Sequence, residues 1–169
     1  MEPVLPFMKN GIAQIGLVVE NLDETVERYW RLCGIGPWHF YTYQRPLLKS
    51  ASYRGAPADY RMRIALANIG PLRIELIEEG EGATIYREHI EKHGYGAHHF
   101  GVLVNDMEKS LAAAEKAGYR MTQDGAGFGL DGDGHYAYID TEEDLGIMLE
   151  LISRPKRRLA PEKVYPLEE

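Results

Sequence analysis

Four polar residues stand in runs that otherwise read as buried strand: Gln14 in IAQIGLVV, Glu75 in RIELI, His99 in AHHFGVLV and Glu150 in IMLELI. Side chains alternate across a strand. Gln14 therefore shares a face with Ile12, Gly16 and Val18, His99 with Ala97, Gly101 and Leu103, and Glu150 with Met148 and Ile152, while Glu75 sits between Ile74 and Leu76. A carboxylate is rarely buried without compensation. Together the four offer one amide oxygen, one imidazole nitrogen and two carboxylates. That set suits one divalent ion of the borderline or hard kind (zinc, nickel, cobalt, manganese or magnesium), whose charge two carboxylates neutralise. Taken singly, each has a plainer reading. Arg61, Arg63 or Arg73 would pair with a glutamate, and a lone strand histidine is ordinarily a hydrogen-bonded core residue. The recurrence of two such positions in each of two matched segments favours a metal centre. His98 adjoins His99, but alternation turns it to the opposite face and leaves it out of the set.

The elements that position these residues repeat. GIAQIGLVVENLDETVERYW from Gly11 aligns with GAHHFGVLVNDMEKSLAAAE from Gly96, so that Gly16 meets Gly101, Val19 meets Val104 and Val26 meets Leu111. In each copy a short apolar run reads as a strand and leads into a helical pattern. Apolar residues at 22, 26, 29 and 33 mark the first helix. Asn21 with Glu24 makes a capping box, Asp106 caps the second helix, and Gly34 and Gly118 suit left-handed C-caps. PLRIELIE and GIMLELIS close the two copies. Each copy then reads strand, helix and three strands: near 37–44, 60–69 and 71–78 in the first, near 119–124, 135–140 and 146–153 in the second. A helix over 83–93 connects them with Ile85, Tyr86 and Ile90 inward. A pseudo-twofold arrangement places Gln14 beside Glu75 and His99 beside Glu150, converging between the copies. Aromatic residues on two strands (Trp38, Phe40, Tyr41 and Tyr43; Tyr136 and Tyr138) supply pocket walls, with alternation letting only some face inward. GAGFGLDG lacks the strand and helix of a dinucleotide fingerprint and reads as a flexible hairpin or lid. DGDG from Asp131 reads as a turn, since Tyr136 stands where a calcium loop requires glycine.

The chain has 169 residues, of which 44% are hydrophobic and 27% charged, the balance of a globular protein. A net charge of −7 argues against nucleic-acid binding. No apolar run is long enough for a membrane span, and the N-terminus lacks the basic and apolar regions of a signal peptide. Cys33 is the one cysteine, which excludes an intrachain disulfide. These features point to a cytoplasmic protein. Lys156, Arg157 and Arg158 form the one basic cluster, in a segment, 154–169, that reads as a polar, solvated tail.

QIGLVVENLDE, PLRIELIE, EKHGYGAHHFGVLVND and GIMLELIS together resemble the vicinal-oxygen-chelate superfamily of glyoxalases, bleomycin-resistance proteins and dioxygenases, over about Gly11 to Ser153. The resemblance implies an α+β fold. Two tandem βαβββ modules form an incomplete eight-stranded barrel around a metal cup: one domain over 11–153, with module one 11–80, the connecting helix 83–93 and module two 96–153. It implies Gln14, Glu75, His99 and Glu150 as the ligands. His99 rather than His98 matches, because the family's ligand directly precedes an apolar residue, here Phe100. Within the superfamily, EHIEKHGYGAHHFGVLVND is most similar to methylmalonyl-CoA epimerases, although Gln14 stands where those carry His, only Asp59 lies near their further acid, and YIDTEEDLG replaces their His-Pro turn.

What the resemblance implies for function is proton abstraction next to a carbonyl through a metal-stabilised enediolate, with Glu150 as first and Glu75 as second candidate base. The expected enzyme is a metal-dependent isomerase or lyase acting on a small molecule such as a CoA thioester or a glutathione adduct, as a homodimer. Glyoxalase I-type lactoylglutathione lyase chemistry is the first alternative, since the Gln, Glu, His, Glu set is similar to that of human-type glyoxalase I. A metal-free binding or resistance protein of the same fold is the second.

Overall fold

The computed structural model describes residues 3–167. After a 3-10 turn at Pro6–Asn10, the first module runs β1 (Gln14–Val18), α1 (Leu22–Cys33), β2 (Trp38–Tyr43), β3 (Ser50–Tyr53), β4 (Ala56–Pro57), β5 (Met62–Ile69) and β6 (Leu72–Glu79). Helix α2 (Ile85–His93) leads to the second: β7 (Gly96–Leu103), α3 (Met107–Lys116), β8 (Met121–Phe128), β9 (Gly134–Ile139), a turn of helix α4 (Glu142–Leu145) and β10 (Met148–Ser153), followed by β11 (Lys163–Tyr165). One mixed sheet holds all the strands, in the order β11-β2-β5-β6-β1-β7-β10-β9-β8-β3-β4. Its eight central strands are the two βαβββ modules, curled into an incomplete barrel, which is the α+β architecture expected from the sequence. The modules join where β1 pairs antiparallel with β7. On either side the first strand of each module pairs parallel with its last, β1 with β6 and β7 with β10. That symmetry brings four strands from distant parts of the chain side by side.

Local chemistry fixes the helices that clamp this sheet from outside. Asn21 accepts from the Glu24 amide at 3.1 Å and opens α1, and Gly34, at φ 65°, closes it. Asp106 accepts from the Lys109 amide at 2.9 Å and opens α3. The apolar stripe of α1 buries Leu22 and Val26 against Trp38, Phe40, Ala65 and Leu76. On the other module, Met107 and Ala114 of α3 pack on Val102, Ile139, Leu149 and Leu151. A third cluster fills the concave side: Tyr41, Tyr43, Tyr60, Ile64, Ile77, Tyr136 and Tyr138, with Ile85 and Tyr86 of α2 among them. Alternation thus splits β2, with Tyr41 and Tyr43 inside the cup and Trp38 and Phe40 beneath α1.

Several sequence expectations need correction. GAGFGLDG is a hairpin and no lid: residues 125–128 extend β8, pairing with β9 and, at Gly125 and Ala126, with β3, and the following residues turn the chain into β9. Gly125 is required there, since a Cβ would lie 2.4 Å from the Tyr136 hydroxyl. The hairpin β3–β4 was not anticipated. Its turn, Arg54–Gly55, has φ of 50° and 81°, the double positive-φ of a tight hairpin. Through β3, module one reaches across to the outer edge of module two. Residues 154–167 are largely exposed, as expected of a polar tail, but they are pinned to the sheet. β11 adds to β2, Arg157 pairs with Asp131, and the Arg158 guanidinium lies 5.9 Å from the centre of the Tyr41 ring. Among the described residues no helix is long and apolar enough to cross a membrane.

Candidate metal centre

The four polar residues singled out above meet at the junction of the modules. Gln14 lies on β1, Glu75 on β6, His99 on β7 and Glu150 on β10, all buried, His99 completely. The Gln14 Nε2 is 3.0 Å from Glu75 Oε2 and 2.9 Å from Glu150 Oε2. The His99 Nε2 approaches the same two oxygens, at 3.3 and 3.1 Å. None of the proposed arginine partners serves these glutamates: Arg63 pairs instead with Asp23 and Glu78. Among the described residues, Glu75, His99 and Glu150 form the one group of three acidic, histidine or cysteine side chains whose ligand atoms fall within 4.8 Å of one another.

Three observations bear on whether an ion fits. First, two carboxylate oxygens are held together in a site screened from water, an arrangement that needs positive charge between them. Second, the His99 Nε2 has no hydrogen-bond partner: its contacts with the carboxylates lack hydrogen-bond direction. The Nε2 atoms of His98 and His99 are both buried without a partner, and of the two it is that of His99 that faces the carboxylates, where it can serve as a ligand atom. Third, spacings of 2.9 to 3.3 Å match the edges of a coordination shell whose bonds are about 2.1 Å. Turning the Gln14 amide by half a rotation exchanges Nε2 for Oε1 and supplies the fourth donor. The donor set fits a divalent ion.

The backbone makes room for this. A Cβ on Gly16 would lie 1.9 to 2.4 Å from the His99 ring, and one on Gly101 would lie 2.8 Å from the Gln14 Cβ and 3.3 Å from Glu150 Oε2. The two glycines occupy matching places in the repeats, and each keeps its strand bare beneath a polar side chain of the neighbouring strand. The β1–β7 register also shifts at this point: Gly16 faces His99 but Leu17 faces Ala97, leaving His98 as an extra residue. This bulge overturns the alternation argument that put His98 on the far side. Both rings now stand against Tyr138, with centroids 5.5 and 5.1 Å away. The two Nδ1 atoms are 3.0 Å apart. Burial, with repulsion from His99 and His89, holds the His98 pKa well below the usual histidine range, so it is neutral. A neutral His98 accepting from His99 Nδ1–H leaves His99 Nε2 free to face the carboxylates. Tyrosines close the remaining space: Tyr86 and Tyr138 hydroxyls are 2.9 Å apart, and Tyr60 and Tyr136 hydroxyls 2.5 Å. Burial raises all four above the ordinary tyrosine pKa. Asp59, by contrast, is exposed and pairs with Arg45.

Desolvation opposes charge on His99, but the neighbouring Glu150 and Glu75 outweigh it and hold its pKa up to about 9. Burial pushes the Glu150 carboxyl up, with His99 opposing and Glu75 adding to the rise. Because the folded pKa of His99 exceeds its ordinary 6.5, its stabilising contribution to the metal-free fold is complete below pH 6.5 and lost as pH rises through about 9. An ion must displace that proton. Divalent-ion binding is therefore expected to release about one proton per chain at roughly neutral pH and to tighten about tenfold per pH unit until His99 has titrated. Calorimetry in two buffers of different ionisation enthalpy measures this, and a buffer-independent heat contradicts it. Gly16→Ala is expected to displace the His99 ring, to cost about 1–3 kcal/mol of stability and to lower divalent-ion affinity sharply, read by competition with a chromophoric chelator. Unchanged affinity would mean that the ring is not held by this bare stretch of β1.

The family model of the Glyoxalase/Bleomycin resistance protein/Dioxygenase superfamily matches residues 13–138. No curated protein sequence matches. Among solved structures, methylmalonyl-CoA epimerase from Mycobacterium tuberculosis superposes with a TM-score of 0.63 at 19% identity, covering 86% of this chain and 89% of that one. A variant of the Streptomyces coelicolor methylmalonyl-CoA epimerase in complex with 2-nitronate-propionyl-CoA gives 0.64 at 21% identity, covering 88% and 96%. A methylmalonyl-CoA epimerase in complex with methylmalonyl-CoA and NH4+ gives 0.63 at 19%, covering 89% and 97%. At these identities the likeness is one of fold. With a family model matched over most of its length and both βαβββ modules in place, the chain belongs to the Glyoxalase/Bleomycin resistance protein/Dioxygenase superfamily.

Proposed function

We propose that this protein is a divalent-metal-dependent isomerase that removes a proton next to a carbonyl, in the manner of an epimerase. The observation that carries the reading is the convergence of Gln14, Glu75, His99 and Glu150, with the His99 Nε2 unpartnered among carboxylate oxygens. Gln14 Oε1, Glu75 Oε2, His99 Nε2 and Glu150 Oε2 would hold the ion. A bound divalent ion supplies Lewis acidity, drawing electron density from a substrate carbonyl and so acidifying the adjacent C–H.

The chain's own groups supply the rest. A carboxylate must take the proton, and burial makes Glu150 a stronger base than an exposed glutamate. Glu150 is the proposed base, and Glu75, on the pseudo-symmetric strand β6, is the second candidate. The tyrosines and the end of α2 exclude water from the site, which protects a carbanionic centre from uncontrolled protonation. The structural neighbours are methylmalonyl-CoA epimerases, one of them bound to methylmalonyl-CoA, and this favours a CoA thioester as substrate. The resemblance of the Gln14, Glu75, His99 and Glu150 donor set to that of human-type glyoxalase I favours a second reading, a lactoylglutathione lyase of the glyoxalase I type.

The metal-loaded protein is expected to exchange the α-proton of methylmalonyl-CoA for deuterium in deuterium oxide, followed by NMR. Glu150→Gln should slow that exchange by roughly a hundred- to ten-thousandfold. Exchange at the wild-type rate in the variant removes Glu150 as base. Turnover of methylglyoxal with glutathione, without exchange into methylmalonyl-CoA, replaces the epimerase reading by the lyase.

A further inference from the structure

Arginines collect at one end of the cup. Arg73 lies two residues before Glu75 on β6, on the same face, and its Cα pairs with that of Gln14. Arg154 continues the face of Glu150 and Ile152 just beyond β10. Arg158 is carried in from the C-terminal segment, its guanidinium beside Tyr41. That segment crosses from the β8–β9 turn to β2. The Leu130 amide donates to the Arg157 carbonyl at 2.9 Å, and Tyr41, Tyr43, Phe128, Pro155 and Arg158 line a small pocket there.

Among the described residues none of these three arginines forms an ion pair with a carboxylate, although Arg157 between them pairs with Asp131. This is unusual for half-buried guanidinium groups such as Arg73 and Arg158. They repel one another as well. Burial, with repulsion from Arg158 and Arg154, brings the Arg73 pKa down to about 10, and burial with Arg158 lowers that of Arg154. The two nearby glutamates contact His99 and form no ion pair with any of the three arginines. Three positive charges are then left over at the cup in a chain of net charge −7. Guanidinium groups gathered without a carboxylate partner, two of them half-buried, form a site for a planar or tetrahedral oxyanion.

We infer that Arg73, Arg154 and Arg158 form an anion subsite that seats a carboxylate or phosphate group of the substrate while its carbonyl faces Glu75 and Glu150. The substrate class is thereby narrowed to carbonyl compounds carrying an oxyanion. As a substrate subsite the assignment rests on the proposed metal-centre reading; as an anion site it stands by itself. Because Arg154 and Arg158 belong to the segment that crosses the cup, an occupying anion would also tie that segment down.

Metal-free protein, stripped with chelator and dialysed, separates the two readings. It is titrated calorimetrically with inorganic phosphate, with malonate and with neutral malonamide. Saturable binding of an anion at one site per chain is expected. Arg73→Gln and Arg158→Gln should each weaken it at least about tenfold, the equivalent of about 1.4 kcal/mol. Arg154→Gln, at an exposed position that leaves the fold intact, gives a third reading should Arg73→Gln fail to fold. Preference for malonate identifies a carboxylate as the occupant and preference for phosphate a phosphoryl group; both support the subsite. Absence of saturable anion binding, equal binding of malonamide, or unchanged affinity in the folded variants overturns it. Divalent-ion titrations of the same variants should show no loss of metal affinity. A wild type that takes the anion but no metal would end the metal-centre reading and leave the arginine site in place.

Discussion

The structure turns on two buried carboxylates aimed at one point. Glu75 and Glu150 bring oxygens within about 3 Å of the same amide and the same imidazole, and water reaches neither freely. In the metal-free state a protonated His99 is the one cation among them, which is why its pKa is held up despite complete burial. Like charges in low dielectric destabilise a fold unless something of opposite charge is fixed between them. A divalent ion does so more fully than a single imidazolium.

The architecture follows from delivering those groups. Each module's first and last strands pair in parallel, and the two modules join through β1 and β7, so residues separated by most of the chain become neighbours on four adjacent strands. Gly16 and Gly101 leave space for the side chains that cross from the adjacent strand. The β7 bulge turns two consecutive histidines the same way, one toward the carboxylates and one behind it to fix its tautomer. Helices α1 and α3 clamp the outer face of the sheet, and α2 closes one end of the cup with Ile85 and Tyr86.

Much of this was legible in the sequence because the signals were local. Capped helices at Asn21 and Asp106, two apolar runs ending in PLRIELIE and GIMLELIS, and the internal repeat define the modules. The coming together of Gln14, Glu75, His99 and Glu150 follows from polar residues in apolar strands seen twice. What escaped depends on pairing rather than pattern. Alternation misplaced His98 because a bulge is set by the partner strand. The hairpin at Arg54–Gly55 and strand β11 are short and edge-bound, and their partners, β8 and β2, lie far away in sequence. The arginines at 73, 154 and 158 form a cluster only after the C-terminal segment folds across the cup, so their spacing carried no signal. The glycines of β8 mimicked a mobile loop, whereas at least one, Gly125, is there to admit Tyr136.

The central claim is that the two modules meet around a divalent ion. The most direct measurement is native mass spectrometry of protein purified without chelator, wild type beside His99→Ala, each after exposure to zinc, nickel, cobalt and manganese and exhaustive dialysis. The account predicts about one ion per folded wild-type chain and none retained by the variant. A wild type that retains no ion, or a folded variant that retains it undiminished, would contradict it.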